Sequence, residues 1–319
     1  MSNKIIACII QGDSRSNTLE IIKDLSTKFD FVIWSTWDGT KVEIDLPNLY
    51  VIYNKIPELS GYGNRNLQRI SMCSGIEKAR RLNCTHILKW RTDLLSFKLT
   101  SDLLYKIYEQ NIINSPINDV IISTSWRNLS VTPDWFSSFP DMFMFSSINM
   151  MEMMWSSDEF NYKYNFNFPK DLLKELKVKI TDENEFKIDN KYYSISYFYD
   201  THIELYSWFK YRLSCKLNYS LNHADILNQF FVLINPYDFE IMWFKNSPKT
   251  EFRPLMNSFQ FNWWTTKNWK QKNLPKTEFI GWNKRKITKY QTLKNILNCK
   301  FQVIMQNYFY YKNHWTIKK

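Results

Sequence analysis

The feature that most constrains the fold is a series of short apolar runs that each stop abruptly at polar residues. The clearest lies in residues 84–97, CTHILKWRTDLLSF, where an apolar run ends at Arg91-Thr92-Asp93. Similar runs end at Gln11-Gly12-Asp13, at Ser35-Thr36-Trp37-Asp38 and at the loop NKIPELSGYG. Short apolar runs bounded by turn residues are typical of buried strands, so the sequence predicts four strands before Asp93.

Two segments with helical periodicity separate these runs, over residues 17–28 and 64–82. The resulting order, β-α-β-β-α-β, predicts an α/β fold with a Rossmann-like, mostly parallel sheet flanked by helices. The phosphate-binding GxGxxG and P-loop patterns are both absent. By motif, the chain is therefore neither an ordinary dinucleotide enzyme nor a P-loop NTPase.

The rest of the chain divides by composition. We predict helices over 101–111, 148–155 and about 200–213, strands over 119–126 and 141–147, and a short helix followed by a strand pair within 224–245. Residues 161–193 are polar and weakly periodic, and we interpret them as an acceptor-side insertion that contains a hairpin. We expect a catalytic domain over 1–245 and a basic, aromatic C-terminal extension over 246–319.

Positive charge is concentrated at the C-terminal end. The chain has a net charge of +11, and residues 279–319 hold nine Lys or Arg and no Asp or Glu, interleaved with aromatic residues. This pattern suits an anionic membrane surface or nucleic acid, and an ordinary solvated basic helix has the same composition. We expect the membrane surface, not nucleic acid, as the partner.

The five cysteines are dispersed and form no CxxC pair. They predict buried free thiols in a reducing compartment, without structural zinc. The N-terminal apolar run is too short for a secretory signal, and no stretch reaches the about 18 apolar residues of a membrane span. We therefore expect a cytoplasmic protein, peripheral on the inner face of the cell membrane.

Asp93 is the strongest candidate for chemistry, because it directly follows a buried strand. A carboxylate there suits Mg²⁺ or Mn²⁺, which need only one or two protein carboxylates when they bridge phosphate oxygens. Arg91 could hold phosphates directly, as a bidentate donor. The alternative is a structural Arg–Asp pair that closes the strand, and the sequence leaves the two open.

Two other strand ends should lie along the same edge of the sheet. The residues that we predict to hold the donor nucleotide there are Gly12, Asp13, Arg15, Thr36, Trp37 and Asp38. A ribose hydroxyl or a base edge could be bound by Asp13 or Asp38, and a base could stack on Trp37. Arg65, at the start of the second long helix, offers an anion site with the helix amides. The alternative at each position is ordinary turn or capping chemistry.

The stretches STWDG (35–39), NRNLQRISMCSGIEKAR (64–80) and HILKWRTDLL (86–95) resemble the WavE family of lipopolysaccharide-synthesis proteins. The resemblance covers roughly residues 5–245. Its matched positions are Ser35-Thr36-Trp37, Arg65, Gln68, Ser74-Gly75, Lys89, Arg91, Thr92 and Asp93. Further along, PDMFMFSS (140–147) matches at Asp141, and THIELYSWF (201–209) matches at Glu204.

The resemblance implies a GT-A-like glycosyltransferase that moves a sugar from a nucleotide-sugar donor to a polysaccharide or lipid-linked glycan of a capsule or lipopolysaccharide. It implies that Arg91-Thr92-Asp93 takes the place of the DxD metal site, with Asp93 as the ligand of a divalent Mn²⁺ or Mg²⁺. Because Arg91 stands where the first Asp would be, the arginine could supply part of the positive charge that a metal ion would otherwise provide. Glu204 and Asp141 are the candidate general bases. Through the resemblance, the residues expected to bind the donor also include Arg65, Gln68, Lys89 and Arg91.

Two other classes of function fit the same residues. One is a non-catalytic module that binds an anionic glycan or nucleic acid, and the other is a transferase of a different phosphate-linked group. Nucleotide binding that depends on Asp93 would favour a transferase, and binding of oligonucleotides with a steep salt dependence would favour the binding module.

Overall fold

The computed structural model describes residues 4–15, 18–61, 64–96, 98–124, 126–128, 137–138, 142–156, 179–180, 185–188, 191–194, 202–234, 239, 241–243 and 263–264. In these ranges the α-helices are α1 (Thr18–Ser26), α2 (Arg65–Arg81), α3 (Ser101–Asn111), α4 (Ile148–Trp155), α5 (His202–Leu217) and α6 (His223–Phe230). The strands are β1 (Ile6–Gln11), β2 (Phe31–Trp37), β3 (Leu49–Asn54), β4 (His86–Arg91), β5 (Leu94–Ser96), β6 (Ile121–Ser123), β7 (Trp126–Asn128), β8 (Ser137–Ser138), β9 (Met144–Ser147), β10 (Lys179–Ile180), β11 (Glu185–Ile188), β12 (Lys191–Ser194), β13 (Phe231–Leu233), β14 (Ile241–Trp243) and β15 (Trp263–Trp264).

A seven-stranded mixed sheet forms the centre, in the order β13-β6-β9-β4-β1-β2-β3. The strands β3, β2, β1 and β4 pair in parallel, as do β6 and β13. The strand β9 runs antiparallel to both of its neighbours, β4 and β6. All six residues of β1 are buried, as expected for a strand covered by helices on both faces of a sheet.

Each face of the sheet carries its own apolar core. On one face, α2, α4, α5 and α6 pack against the sheet through residues such as Met72, Met151 and Phe209. On the other face, α1 and α3 contribute Ile22 and Leu104. The protein is thus an α/β layered structure with a mostly parallel sheet between helices, which confirms the predicted fold class at that level.

The helix α2 lies very close to β1. An added Cβ at Gly75 would come within 2.5 Å of the Cγ2 atom of Ile9, a separation that packed carbon atoms do not adopt. The absence of a side chain at this position therefore allows the helix to approach the central strand, and it explains a glycine in the middle of a helix, where glycine is otherwise unfavourable.

Most predicted elements are present with bounds shifted by a few residues, and the hairpin expected over 184–194 is the antiparallel pair β11 and β12. One prediction is wrong. The strand pair expected within 224–245 does not form, because β13 pairs with β6 in the main sheet and β14 pairs antiparallel with β5. The short strand β5 follows the turn after β4 and was not predicted.

The predicted C-terminal extension lies outside the described residues except for β15, and most of the predicted insertion does as well. Among the helices that the structure describes, none is both long enough and apolar enough to cross a bilayer.

Candidate functional site

The carboxyl ends of β1 and β4 form the point at which the strand order reverses. From β1 the chain adds β2 and β3 on one side, and it then returns to add β4 on the other. In open α/β sheets, ligands bind in the crevice outside the strand ends at such a switch point. Gln11 and Arg91 are register partners, so the loops that begin at Gly12 and Thr92 leave the sheet side by side. The strand β2 ends at the same edge, as predicted.

The loop after β1 is fixed to the turn after β4. Gly12 has φ 113°, a conformation that favours glycine, and its carbonyl accepts a 2.9 Å bond from the indole of Trp34. The Thr18 hydroxyl accepts a 2.7 Å bond from the backbone N–H of Arg15 and donates at 3.2 Å to the carbonyl of Thr92. These bonds set the position from which the Arg15 side chain extends.

Asp93 is held by two arginines. The guanidinium of Arg91 donates from Nε to Oδ1 at 2.9 Å and from Nη2 to Oδ2 at 3.1 Å. The Nη1 atom of Arg15 lies 3.1 Å from the same Oδ2. The Asp93 side chain is 1% exposed, whereas the side chains of Arg91 and Arg15 are 24% and 40% exposed. The two guanidinium groups thus cover the carboxylate, and these three side chains together carry a charge of +1.

This donor set does not fit the divalent cation that the sequence suggested. A Mg²⁺ or Mn²⁺ ligand must offer a carboxylate oxygen at close to 2 Å, and both oxygens of Asp93 accept bonds from guanidinium groups. In the described part of the chain, no group of three or more His, Cys, Asp or Glu side chains lies together in a way that could hold a metal ion. The arrangement fits the alternative, in which arginine supplies the positive charge.

Polar residues after β1 and β2 complete this edge. The Thr40 hydroxyl lies 3.4 Å from Oδ1 of Asp13 and accepts a 3.0 Å bond from Thr36. Asp13 and Asp38 are both exposed, which suits the predicted contact with a ribose or a base edge. Trp37 is only 7% exposed, and this leaves little ring surface for the predicted stacking.

A buried polar network joins the ends of β1, β2 and β3 to α2. The side-chain amide of Gln11 donates to the hydroxyl of Ser71 at 2.6 Å and also contacts the carbonyl of Gln68. The amide of Asn54 donates to the hydroxyl of Ser35 at 2.9 Å and accepts a 2.6 Å bond from Ser74. Gln68, a predicted donor-binding residue, therefore contributes a backbone carbonyl to the scaffold beneath the site.

Sequence reasoning missed the network residues Asn54 and Ser71, and it named Ser74 only as a position matched in the resemblance, without a role. The available signal was that each is a polar residue in an otherwise apolar position. Asn54 closes the third apolar run, and the two serines lie on the face of α2 that packs on the sheet. The hydrogen bonds give this edge a fixed shape, because a buried polar group without a partner is costly.

A second charged cluster joins α2, α4 and α5. Arg65 and Glu204 form a buried ion pair, with both side chains 6% exposed. Arg69 is also buried, and burial lowers the pKa of its guanidinium to about 10, while the negative charge of Glu204 acts in the opposite direction. Arg212 donates at 3.0 Å and 2.9 Å to the carbonyls of Met153 and Ser156 near the end of α4.

This cluster changes the interpretation of two predicted residues. Arg65 was expected to bind donor phosphate and Glu204 to act as a base, and the structure brings the two into contact with each other instead. A general base must reach the acceptor hydroxyl, so Glu204 would first have to separate from Arg65.

Lys89 and Asp141 are the remaining predicted residues. Lys89 is fully buried in β4, with its ammonium 5.2 Å from the ring centre of Trp155 at the end of α4. It therefore lies in the core on the α4 side and not at the exposed edge. Asp141 lies outside the described residues.

Comparison with known proteins adds little. No protein-family model matches the chain. No curated protein matches it either. Among solved structures, the protein named A197 from STIV is similar over 60% of this chain and 93% of its own length, at 7% sequence identity and a TM-score of 0.26. A similarity that weak carries no argument about fold or function.

Proposed function

We propose that the protein is a glycosyltransferase that moves a sugar from a nucleotide-sugar donor to a growing cell-surface polysaccharide, of a capsule or a lipopolysaccharide. The observation that carries this proposal is the group of Arg15, Arg91 and Asp93 at the switch point of the sheet. Ligand crevices of α/β sheets lie at that point, and paired guanidinium groups are suited to phosphate oxygens.

The sheet order supports a GT-A-like fold. Numbered within the sheet alone, the strands run 3-2-1-4-6-5-7, and the sixth is antiparallel. The first four positions repeat the order of a Rossmann sheet, in which nucleotides bind across the first and fourth strands. The antiparallel strand departs from a plain dinucleotide-binding sheet, which favours the GT-A-like interpretation.

The chemistry of sugar transfer matches the charges at this edge. Cleavage of the bond between the sugar and the diphosphate leaves growing negative charge on the phosphate oxygens. Fixed cationic donors stabilise that charge in the transition state, and this kind of stabilisation is often the largest part of catalysis. Arg15 and Arg91 supply such donors, and the exposed Asp13 and Asp38 are suited to the hydroxyl groups of the nucleoside.

The acceptor hydroxyl must also lose a proton. Asp141 and Glu204 are the proposed bases, and the buried contact with Arg65 means that Glu204 can serve only if that ion pair opens. The basic residues of 279–319 are proposed to hold the enzyme against an anionic membrane surface, where a lipid-linked acceptor would be found.

The proposal is tested with a panel of nucleotide sugars, by thermal shift and by release of the free nucleotide. At least one donor should raise the melting temperature and be turned over in the presence of a glycan acceptor. NMR of the product would then identify the sugar and the linkage.

Asp93→Asn should reduce the thermal shift and abolish turnover, whereas the exposed control Asp102→Asn, whose carboxylate pairs with Lys4, should preserve both. If no nucleotide sugar binds or turns over, the protein is not this kind of transferase. Tight binding of oligonucleotides that falls steeply with salt would instead favour a nucleic-acid-binding module.

A further inference from the structure

We propose that Arg15 and Arg91, held in place by Asp93, bind the diphosphate of the donor directly and take the place of a divalent cation. This inference rests on the proposed function, because it concerns how the donor of that reaction is held. It assigns Asp93 as a positioning residue and not as a metal ligand.

The first argument is the charge at the switch point. Two guanidinium groups and one carboxylate give the cluster a charge of +1 without any added ion. A divalent cation on Asp93 would have to share or displace guanidinium contacts on at least one oxygen, and it would raise the charge of these three side chains from +1 to +3. Among the described residues, no group of three or more His, Cys, Asp or Glu side chains is placed to hold such a cation. An arriving diphosphate, by contrast, lowers the net charge of the cluster.

The second argument is the order in which a ligand meets these groups. The carboxylate of Asp93 is 1% exposed and lies beneath the arginines, whose side chains are 24% and 40% exposed. An anion that enters from solvent therefore contacts guanidinium before carboxylate. A cation that enters from solvent meets two positive groups first, and this arrangement repels it.

The third argument is that the protein holds both arginines in position before a ligand binds. Arg91 approaches Asp93 side-on through Nε and Nη2, a bidentate contact that fixes the plane of its guanidinium. Arg15 is fixed at its backbone by Thr18, and Thr18 is bonded in turn to the turn after β4. Both cations are therefore oriented before the ligand arrives, which is the condition for electrostatic stabilisation without reorganisation.

The test begins with the wild-type protein. Binding of UDP, GDP, dTDP, ADP and inorganic pyrophosphate is measured by calorimetry, once with EDTA and once with Mn²⁺. We expect one nucleoside diphosphate to bind with a dissociation constant that differs by less than about twofold between the two conditions, and more tightly than pyrophosphate. Binding that requires Mn²⁺ would overturn the inference and leave the proposed function intact. Absence of nucleoside diphosphate binding in both conditions would overturn both.

Variants then test the roles of individual residues, with EDTA present throughout. Arg91→Met should weaken binding by at least about tenfold, the loss expected when a charge-assisted contact disappears. Arg91→Lys should recover only part of the affinity, because lysine keeps the charge but not the planar fork. The control is Arg81→Met, since Arg81 lies at the exposed end of α2 and pairs only with Glu77 among the ion pairs described.

Asp93→Asn separates a positioning role from metal binding. If Asp93 orients the arginines, the variant should weaken binding equally with EDTA and with Mn²⁺, and Arg15→Met should weaken it in the same way. If Asp93 binds a metal, wild-type affinity should rise with Mn²⁺ and the variant should lose that rise, which would refute the inference. Circular dichroism identifies any variant that fails to fold, and the EDTA comparison on the wild type remains decisive in that case.

Discussion

Replacement of Glu204 by glutamine separates two roles for this carboxylate. The sequence suggested a general base, whereas the structure buries Glu204 against Arg65. The change to Gln keeps the size and removes the charge. It removes the carboxylate that pairs with the buried guanidinium of Arg65, and it also removes the charge that favours the ionised form of Arg69.

The magnitude follows from the burial of the pair. Removal of one partner of a buried ion pair costs about 3–5 kcal/mol, because an uncompensated charge remains in the interior. Removal of one partner of an exposed pair costs about 0–1 kcal/mol. Arg80 and Glu152 form such an exposed pair between α2 and α4, with side chains 52% and 37% exposed. Glu152→Gln is therefore the control, because it makes the same change in an exposed pair that also involves an arginine of α2.

The assay is unfolding in urea, with the free energy of unfolding extrapolated to water. We expect Glu204→Gln to lose about 3–5 kcal/mol, a large part of the about 5–15 kcal/mol that stabilises a typical domain, and Glu152→Gln to lose less than about 1. Addition of Arg65→Met to Glu204→Gln should recover part of the loss, because it removes the uncompensated charge. Equal losses in the two single variants would refute this reasoning. Transfer reduced by about 10²-fold in a variant of unchanged stability would instead support the role as base.

Three further predictions concern the fold and the membrane. Burial, and to a smaller extent the charge of Lys4, lowers the pKa of His86 to about 4, so the free energy of unfolding should fall by about 3 kcal/mol between pH 6.5 and pH 4. In urea unfolding at several pH values, His86→Phe should remove most of this dependence on pH. Gly75→Ala should lower the free energy of unfolding in urea by about 1–3 kcal/mol, and by much less in a protein that already carries Ile9→Ala, which lacks the clashing atoms. Equal losses in the two proteins would show that a clash with Ile9 is not the cause. Deletion of residues 284–319 should release the protein from anionic liposomes at moderate salt while turnover on a short soluble acceptor falls far less, and retained binding would rule out this segment as the anchor.

Local patterns were sufficient to predict the core elements of the sheet. Each of β1, β2 and β4 is an apolar run that ends in polar residues, and the helices between them repeat apolar residues with helical spacing. Pairing was harder to predict. Nothing in the three residues of β6 or β13 indicates that these strands pair with each other, or that β9 separates β6 from β4. Short strands carry little information about register or neighbour, because that choice depends on the rest of the sheet.

The candidate site shows the same difference between local features, which were predictable, and long-range contacts, which were not. Strand-end positions were predictable, because parallel strands place their carboxyl ends at one edge. The ion pair of Arg65 with Glu204 was not, since the two residues are far apart in sequence and meet only when α2 and α5 pack near α4. Each has its own local explanation, as an anion site at a helix start and as a carboxylate in the first turn of a helix. Local reasoning therefore assigned both to ligands and neither to the other.

Asp93 shows why two interpretations that look exclusive in a sequence need not be. From Arg91-Thr92-Asp93 alone, a structural Arg–Asp pair and a phosphate site are alternatives. The contact with Arg15, 78 positions earlier in the chain, removes the conflict, because a single buried carboxylate holds two arginines that are both partly open to solvent. If a single carboxylate neutralised Arg91 completely, no net positive charge of that pair would remain to attract a phosphate. With two arginines on one carboxylate, the pair that closes the strand also leaves a positive charge at the place where α/β sheets bind their ligands.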